Sequence, residues 1–203
     1  MYRDVTGIIL AGGRSIRMGE NKAFLKIGNL TAIERVRNFM QSLFTNVILI
    51  TNSPAEYSFL GLDTYEDVYK NMGPLAGIHS GLLNSTAEKN FILSCDLLLM
   101  KKEIVDYIIN YETSKPITVS KAEGFVQTLA AVYQKRCIDF VEKILSENQK
   151  SENPKKKENN LLILIEKAGA EIISIENHSG YNKNVFFNMN NKSDYKEILK
   201  ILN

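Results

Sequence analysis

The sequence predicts an α/β protein, a three-layer α/β/α, Rossmann-like domain built around a mostly parallel sheet. Short apolar runs suited to buried parallel strands alternate with longer segments of helical periodicity. Glycine and polar residues follow several of these runs directly, where an open parallel sheet would bind a ligand. The length of 203 residues fits one large domain with a core of ordinary size.

The secondary structure elements follow from these runs in chain order. The apolar runs predict strands at Thr6–Leu10, Val47–Thr51, Phe91–Ser94, Ile117–Ser120, Leu129–Tyr133, Glu171–Ile175 and Val185–Asn188. A first helix begins after Thr31, which can form a capping box with Glu34. Further helices are predicted at Gly77–Asn84, Lys101–Tyr111, Lys135–Glu147, Asn160–Gly169 and Ser193–Leu202. The polar segment 148–160 is expected to be a solvated loop, with a mobile basic flap as the alternative.

Composition limits the classes of function. The 25 basic and 23 acidic residues leave a net charge of +2, which does not fit non-specific nucleic-acid binding. Cys95 and Cys137 have no metal-ligand spacing and form no disulfide framework, which favours a reducing compartment. The N-terminal residues do not resemble a signal peptide, and about 18 apolar residues never run together. We therefore expect a cytoplasmic protein that does not bind a membrane.

The segment after the first predicted strand is suited to a triphosphate. An Ala-Gly-Gly tripeptide follows Leu10, and glycine amides can turn toward phosphate oxygens because no Cβ is in the way. Arg14, Arg17 and Lys22 place three cations close behind. The segment matches neither the P-loop nor the dinucleotide fingerprint, which argues against the ATPases and dehydrogenases that carry them.

Two more polar residues follow predicted strands. Asn52 directly follows Val47–Thr51, and Asp96 lies two residues after the end of Phe91–Ser94. The carboxyl ends of parallel strands meet at one edge of a sheet, so both residues are candidates for a ligand site. A single carboxylate can hold magnesium when phosphate oxygens and water complete its shell. Asp96 is therefore the predicted magnesium ligand, and a helix N-cap ahead of Lys101 is the alternative.

A series of motifs then runs through nearly the whole chain. Residues 10–25 have the sequence LAGGRSIRMGENKAFL, and Asn52 follows the second main strand. Asp67 precedes GPLAG at residues 73–77, Asp96 follows a cysteine, and residues 187–190 have the sequence FNMN. In this order the motifs resemble those of the molybdenum cofactor guanylyltransferases, whose opening pattern is roughly LAGGxSxRMGxDKxL. The resemblance implies transfer of GMP from GTP to the terminal phosphate of molybdopterin, with release of pyrophosphate.

The resemblance also implies a nucleotidyltransferase fold and roles for individual residues. We expect a single domain in which residues 1–100 mainly bind the nucleotide and residues 101–203 mainly bind the acceptor. The residues that would hold GTP are Leu10, Ala11, Gly12, Gly13, Lys22, Asn52, Asp67 and Asp96. Catalysis would use Arg17 and Lys22 as cations together with magnesium on Asp96. Asn188 and Asn190 would contact molybdopterin.

Three positions depart from the family pattern. Asn21 replaces an aspartate, Leu98 replaces a proline, and Thr128 stands where proline is common. The change at Asn21 removes a negative charge beside Lys22, which does not by itself predict loss of activity. The other two positions concern local backbone geometry.

Two other functions stay open at this stage. A cytidylyl- or sugar nucleotidyltransferase would share the fold, but such enzymes usually have LAAG where this chain has LAGG. A catalytically silent nucleotide-binding protein would not need both Lys22 and Asp96. For the guanylyltransferase, the expected partners are GTP and molybdopterin, with cofactor-insertion proteins or apo-molybdoenzymes receiving the product.

Overall fold

The computed structural model describes residues 1–12, 21–150 and 160–202. The strands of the described chain are β1 (Tyr2–Leu10), β2 (Lys26–Ile27), β3 (Leu30–Thr31), β4 (Phe44–Ile50), β5 (Asp63–Tyr65), β6 (Lys89–Ser94), β7 (Ile117–Ala122), β8 (Phe125–Gln134) and β9 (Ala170–Ser174). The α-helices are α1 (Ala32–Leu43), α2 (Pro74–Asn84), α3 (Lys102–Asn110), α4 (Ile138–Gln149), α5 (Asn160–Ala168) and α6 (Lys192–Leu202). Short 3-10 helices span Lys22–Phe24, Pro54–Leu60 and Lys135–Cys137.

The main sheet has seven strands in the order β5-β4-β1-β6-β8-β7-β9. Strand β8 runs antiparallel to both of its neighbours, β6 and β7, while the remaining neighbours are parallel. Strands β2 and β3 form a separate antiparallel pair. The mostly parallel sheet predicted from the sequence is confirmed.

Helices cover both faces of this sheet. Side chains alternate along β1, so Ile9 joins the apolar cluster that contains α1 and α3, whereas Ile8 and Leu10 join the cluster of α2, α4 and α5. Helix α6 packs apart from these, with Ile198 against Ile27 of β2. The three-layer α/β/α architecture is therefore confirmed. Among the described residues, no helix has both the length and the apolar character needed to cross a membrane.

The predicted capping box at the start of α1 is present. The Thr31 hydroxyl accepts a hydrogen bond from the Glu34 N–H at 3.3 Å, and the Glu34 carboxylate accepts one from the Thr31 N–H at 2.7 Å. These bonds satisfy backbone donors that the first helical turn would otherwise leave without partners. The helix that follows connects β3 to β4, the strand beside β1.

The structure differs from the predicted secondary structure at several points. Val185–Asn188 is not a strand, because Val185 N–H donates to Asn182 O at 3.1 Å and Phe187 N–H donates to Asn184 O at 2.9 Å. These successive turns overcome the strand preference of Val185 and the two phenylalanines that follow. Strand β5 was missed because three residues are too few to show a period. Helix α2 begins at Pro74, three residues earlier than predicted.

Candidate active site

The carboxyl ends of three parallel strands form one edge of a cleft of about 850 Å³. Ala11 N–H donates to Ile50 O at 2.9 Å, and Cys95 N–H donates to Leu10 O at 3.0 Å. These backbone bonds hold the segments after β1, β4 and β6 side by side. The residues that line the cleft include the predicted nucleotide contacts Leu10, Ala11, Gly12, Asn52, Asp67 and Asp96.

Lys22 and Asp96 meet in this region, although 74 residues separate them in the sequence. The Lys22 Nζ lies 2.5 Å from Asp96 Oδ2, and the two side chains are 20% and 12% exposed. The second carboxylate oxygen, Asp96 Oδ1, is buried and has no hydrogen-bond partner among the described residues. A mostly buried carboxylate with one oxygen that lacks a hydrogen-bond partner suits a cation.

Asp96 is not a helix cap. The N-cap position of α3 is Lys101, five residues further along the chain, and Asp96 lies in a turn in which Leu97 N–H donates to Ser94 O at 3.2 Å. This alternative from the sequence was wrong. Leu98, which replaces the family proline, packs partly buried against the apolar core, so its side chain has an apolar environment.

Asn52 and Asp67 form a second polar group in the cleft. The Asn52 amide donates to Asp67 Oδ2 at 2.6 Å, and Asn52 Oδ1 accepts from the Asp67 N–H at 3.2 Å and from Lys70 Nζ at 3.0 Å. Burial raises the pKa of the Asp67 carboxyl above its ordinary value, against the opposing effects of Asn52 and Lys70. The pair therefore presents an oriented amide and a partly desolvated carboxylate.

The start of α2 forms another wall of the cleft. Gly73 is the N-cap residue and has a φ of +71°, a conformation that favours glycine, and Pro74 occupies the first turn. A Cβ on Gly77 would lie 3.2 Å from Leu10 Cδ2 and 3.7 Å from Asp67 Oδ1. Glycine at this position therefore lets the helix approach the strand end closely and leaves room beside Asp67. Residues 74–77 are thus the first turn of α2.

Several residues that line the cleft were not predicted, among them Tyr57 and Leu129. Tyr57 lies on the 3-10 helix Pro54–Leu60, which has no periodic pattern to mark its inward face. Leu129 reaches the cleft from β8 where the pairing shifts from Val119 opposite Ala131 to Ser120 opposite Gln127. Such an irregularity is set by pairing between strands, which sequence spacing does not show.

The departure at Thr128 lies in the same irregular stretch of β8. The Thr128 carbonyl accepts a hydrogen bond from the Tyr133 hydroxyl at 2.9 Å. A proline carbonyl would accept this bond equally well, so this contact does not depend on the departure.

Asn188 and Asn190 line a different cleft of about 600 Å³. Its other walls come from Glu123 in the turn between β7 and β8, from Phe125 and Gln127 at the start of β8, and from the segment around Tyr181. The two clefts are linked through the segment between the asparagines, because Met189 N–H donates to Asp96 O at 3.2 Å. Asn188 and Asn190 are thus near the Asp96 backbone but do not line the larger cleft.

Some residues singled out in the sequence have other positions or lie outside the described residues. Gly13, Arg14 and Arg17 fall within residues 13–20, and the lysine-rich part of segment 148–160 falls within residues 151–159, which the structure does not describe. Cys95 is buried, and this burial raises the pKa of its thiol to about 12. The thiol is therefore protonated at neutral pH, which agrees with its interpretation as a small apolar residue.

The profile of a MobA-like NTP transferase domain matches residues 7–158. This chain belongs to that family. A Clostridium perfringens protein named "Probable molybdenum cofactor guanylyltransferase" is 34% identical over 95% of this chain and 94% of its own length. The resemblance seen in the sequence motifs is therefore confirmed, and so is the assignment to the nucleotidyltransferases.

Solved structures share the fold of this chain. A crystal structure of an Aquifex aeolicus protein has a TM-score of 0.74 at 29% identity, covering 92% of this chain and 94% of that one. Molybdopterin-guanine dinucleotide biosynthesis protein A from Archaeoglobus fulgidus has a TM-score of 0.79 and covers 97% of both chains. Its identity of 19% supports the fold alone.

Proposed function

We propose that this family member transfers GMP from GTP to the terminal phosphate of molybdopterin and releases pyrophosphate. The observation that carries the proposal is the 2.5 Å contact between Lys22 and Asp96 beside a cleft at the carboxyl edge of the sheet. The cation can bind phosphate and the carboxylate can bind a metal, and the two are held together by the fold. The name of the Clostridium perfringens relative supports the choice of substrates.

The nucleotide is proposed to lie in the larger cleft. The backbone of Leu10, Ala11 and Gly12 would face it, since a Cβ on Gly12 would meet no described atom within 4 Å. Asp67 would accept hydrogen bonds from N–H or O–H groups of the nucleoside, with Asn52 holding the carboxylate in place. Gly13 and Arg17 retain the roles proposed from the family motif.

Magnesium fits the residues of this site. Asp96 Oδ1 is buried without a partner among the described residues, and those residues contain no cluster of three or more His, Cys, Asp or Glu side chains suited to a metal. One carboxylate is the donor set expected for magnesium held mainly by phosphate oxygens and water. Asp96 would hold the ion, which when bound would neutralise phosphate charge.

The reaction then needs fixed positive charge more than a strong base. An oxygen of the molybdopterin phosphate bonds to the α-phosphorus of GTP, and the bond from that phosphorus to the bridging oxygen of the β-phosphate breaks. The electron pair leaves with pyrophosphate. Lys22 would exchange its contact with Asp96 for phosphate oxygens and stabilise the charge that builds up there.

The acceptor is proposed to bind in the smaller cleft. Of the described residues that line the nucleotide cleft, Leu129 alone comes from the part of the chain after residue 100, whereas the smaller cleft is lined from residues 122–194. This division supports the expected nucleotide-binding and acceptor-binding halves. Asn188 and Asn190 would contact molybdopterin there. The product would pass to cofactor-insertion proteins or apo-molybdoenzymes in the cytoplasm.

One assay tests the proposal against its alternatives. Purified protein is incubated with magnesium, molybdopterin and each of the four NTPs, and pyrophosphate and the attached nucleotide are measured. We expect turnover with GTP. Turnover with CTP instead would favour the cytidylyltransferase, and GTP binding without pyrophosphate release would favour the silent binding protein.

A pair of variants connects the assay to the site. Asp96→Asn should lower magnesium-dependent turnover about 100-fold or more, because it removes the charge that holds the metal and pairs with Lys22. Asp106→Asn, on the outer helix α3, is the control and should keep the wild-type rate. A wild-type rate in Asp96→Asn would remove this carboxylate from the mechanism.

A further inference from the structure

Asn21 is bonded through both ends of its side chain, directly before Lys22. Its Oδ1 accepts a hydrogen bond from the Ala23 N–H at 3.1 Å, and its Nδ2 donates to the Tyr57 hydroxyl at 3.1 Å. Its carbonyl also accepts from the Phe24 N–H at 2.9 Å. One asparagine thus caps the short 3-10 helix that carries Lys22 and joins it to the segment after β4.

Tyr57 provides a rigid partner for this bond. The residue is 3% exposed, and its ring packs against Phe24 with 4.9 Å between the ring centroids. Burial raises the pKa of the Tyr57 hydroxyl, so it remains a neutral phenol that can both accept and donate a hydrogen bond. The turn that bears Lys22 is therefore held by ring packing on one side and by the Asn21 bond on the other.

We infer that Asn21 and Tyr57 are positioning residues that hold Lys22 where its ammonium group reaches Asp96 and the phosphates. Lysine has a long stem with several rotatable bonds, so the direction of its ammonium group depends on how firmly its backbone is held. A shift of about 1 Å in a catalytic group can cost up to roughly 100-fold in rate. The inference rests on the proposed function for the role of Lys22, and it adds the residues that fix its position.

This inference also explains the departure from the family pattern at position 21. An aspartate there would accept from the Ala23 N–H as the asparagine does, and the Tyr57 hydroxyl would donate to it instead of accepting. Asparagine and aspartate can therefore both make the connection, with the direction of one hydrogen bond reversed. An apolar residue of the same size can make neither bond.

The test compares Tyr57→Phe, Asn21→Leu and Asn21→Asp in the full chain. Tyr57→Phe keeps the ring against Phe24 and removes the hydroxyl. We expect both Tyr57→Phe and Asn21→Leu to lower kcat about tenfold, which corresponds to about 1.4 kcal/mol in the barrier. Asn21→Asp should stay within a few-fold of the wild-type kcat.

Tyr2→Phe is the matched control, because the Tyr2 hydroxyl also accepts an amide hydrogen bond, from Asn110 at 2.9 Å, far from the cleft. It should keep the wild-type kcat. Wild-type kcat in both Tyr57→Phe and Asn21→Leu would overturn the inference. A loss of kcat in Asn21→Asp as large as that in Asn21→Leu would also overturn the inference.

A second measurement does not depend on activity. Acetic anhydride labels lysines, and mass spectrometry compares the labelling rate of Lys22 with that of the exposed Lys26 in the same sample. Tyr57→Phe should raise the rate at Lys22 several-fold relative to Lys26, because the ammonium group leaves Asp96. An unchanged ratio would overturn the inference. If the wild-type protein shows no turnover with GTP, the proposed function fails, and the labelling ratio still decides the role of Asn21 and Tyr57.

Discussion

Single side chains in the nucleotide cleft have properties that depend on partners distant in sequence. Asp67 is the clearest case, because the Asn52 amide holds its carboxylate from the end of β4 while the surrounding protein desolvates it. Desolvation favours the neutral acid, which raises the pKa of the carboxyl. Asp67 therefore becomes partly protonated at a pH at which an exposed aspartate is still charged.

This raised pKa predicts how GTP binding depends on pH. Protonated Asp67 cannot accept hydrogen bonds at both oxygens, so its contribution to GTP affinity should be complete above the raised pKa and lost as the pH falls through it. The loss should begin at a higher pH than for an ordinary carboxyl of pKa 3.8.

Calorimetric titration of wild-type protein and Asp67→Asn with GTP checks this. The neutral amide does not titrate, so the ratio of the two affinities isolates the carboxyl from the titration of GTP itself. We expect the affinity of the wild-type protein relative to Asp67→Asn to fall with pH and then to level off once Asp67 is protonated. A ratio that stays independent of pH from neutral pH down through the ordinary pKa range of aspartate would contradict the role of this carboxyl.

At the scale of elements, α2 contributes both to the core and to the cleft through two glycines one turn apart. Gly77 faces Leu10 at the cleft, and a Cβ on Gly81 would lie 2.8 Å from Ile8 Cγ2 in the core beneath. Both glycines let the helix lie close to β1. Their different neighbours allow binding and stability to be separated within one helix.

Alanine substitutions at these two positions should therefore affect different properties, GTP binding at Gly77 and stability at Gly81. Gly77→Ala should raise the KM for GTP about tenfold, the lower end of the effect of one methyl group in a pocket, with little loss of stability. Gly81→Ala should overpack the core and lower the free energy of unfolding by about 1–3 kcal/mol. The better helix preference of alanine should offset about 1 kcal/mol of this loss. Urea unfolding and steady-state kinetics on both proteins measure the two effects. A wild-type KM for GTP in Gly77→Ala would show that the space beside Gly77 does not limit nucleotide binding.

For the whole molecule, the fold forms two clefts, one lined by Asp96 and one beside the segment that bonds to the Asp96 backbone. The parallel strands β1, β4 and β6 supply the nucleotide cleft, and the antiparallel turn between β7 and β8 supplies a wall of the smaller one. The bond from Met189 N–H to Asp96 O joins them. The proposed nucleotide and acceptor sites are thus separate clefts connected through the Asp96 backbone.

This arrangement predicts that the two sites can be impaired separately. Asn188→Ala and Asn190→Ala should each raise the KM for molybdopterin about tenfold, the effect of one hydrogen bond of roughly 1.4 kcal/mol, and should leave the affinity for GTP unchanged. Asn184→Ala, in the same segment but not lining the cleft, is the control. Weaker GTP binding in the Asn188 or Asn190 variants, without an effect on molybdopterin, would contradict the division between the clefts.

Local patterns in the sequence were sufficient for the architecture and the family. Apolar runs and helical periods report which face of each element is buried, so they predicted the three layers, the parallel character of the sheet and the capping box at Thr31. The motifs around Lys22 and Asp96 indicated the family because they match its pattern in the same order along the chain. These features depend on neighbours along the chain.

Partners across the fold required the tertiary structure. The sequence did not show that β8 runs antiparallel, that Asn21 donates to Tyr57, or that Asn188 lines a cleft separate from the one that Asp96 lines. Each of these depends on strand order and on packing between segments distant in sequence, which leave no periodic signal. The contact between Lys22 and Asp96 combines both levels, since motifs named the two residues and the folded sheet brought their charges to 2.5 Å.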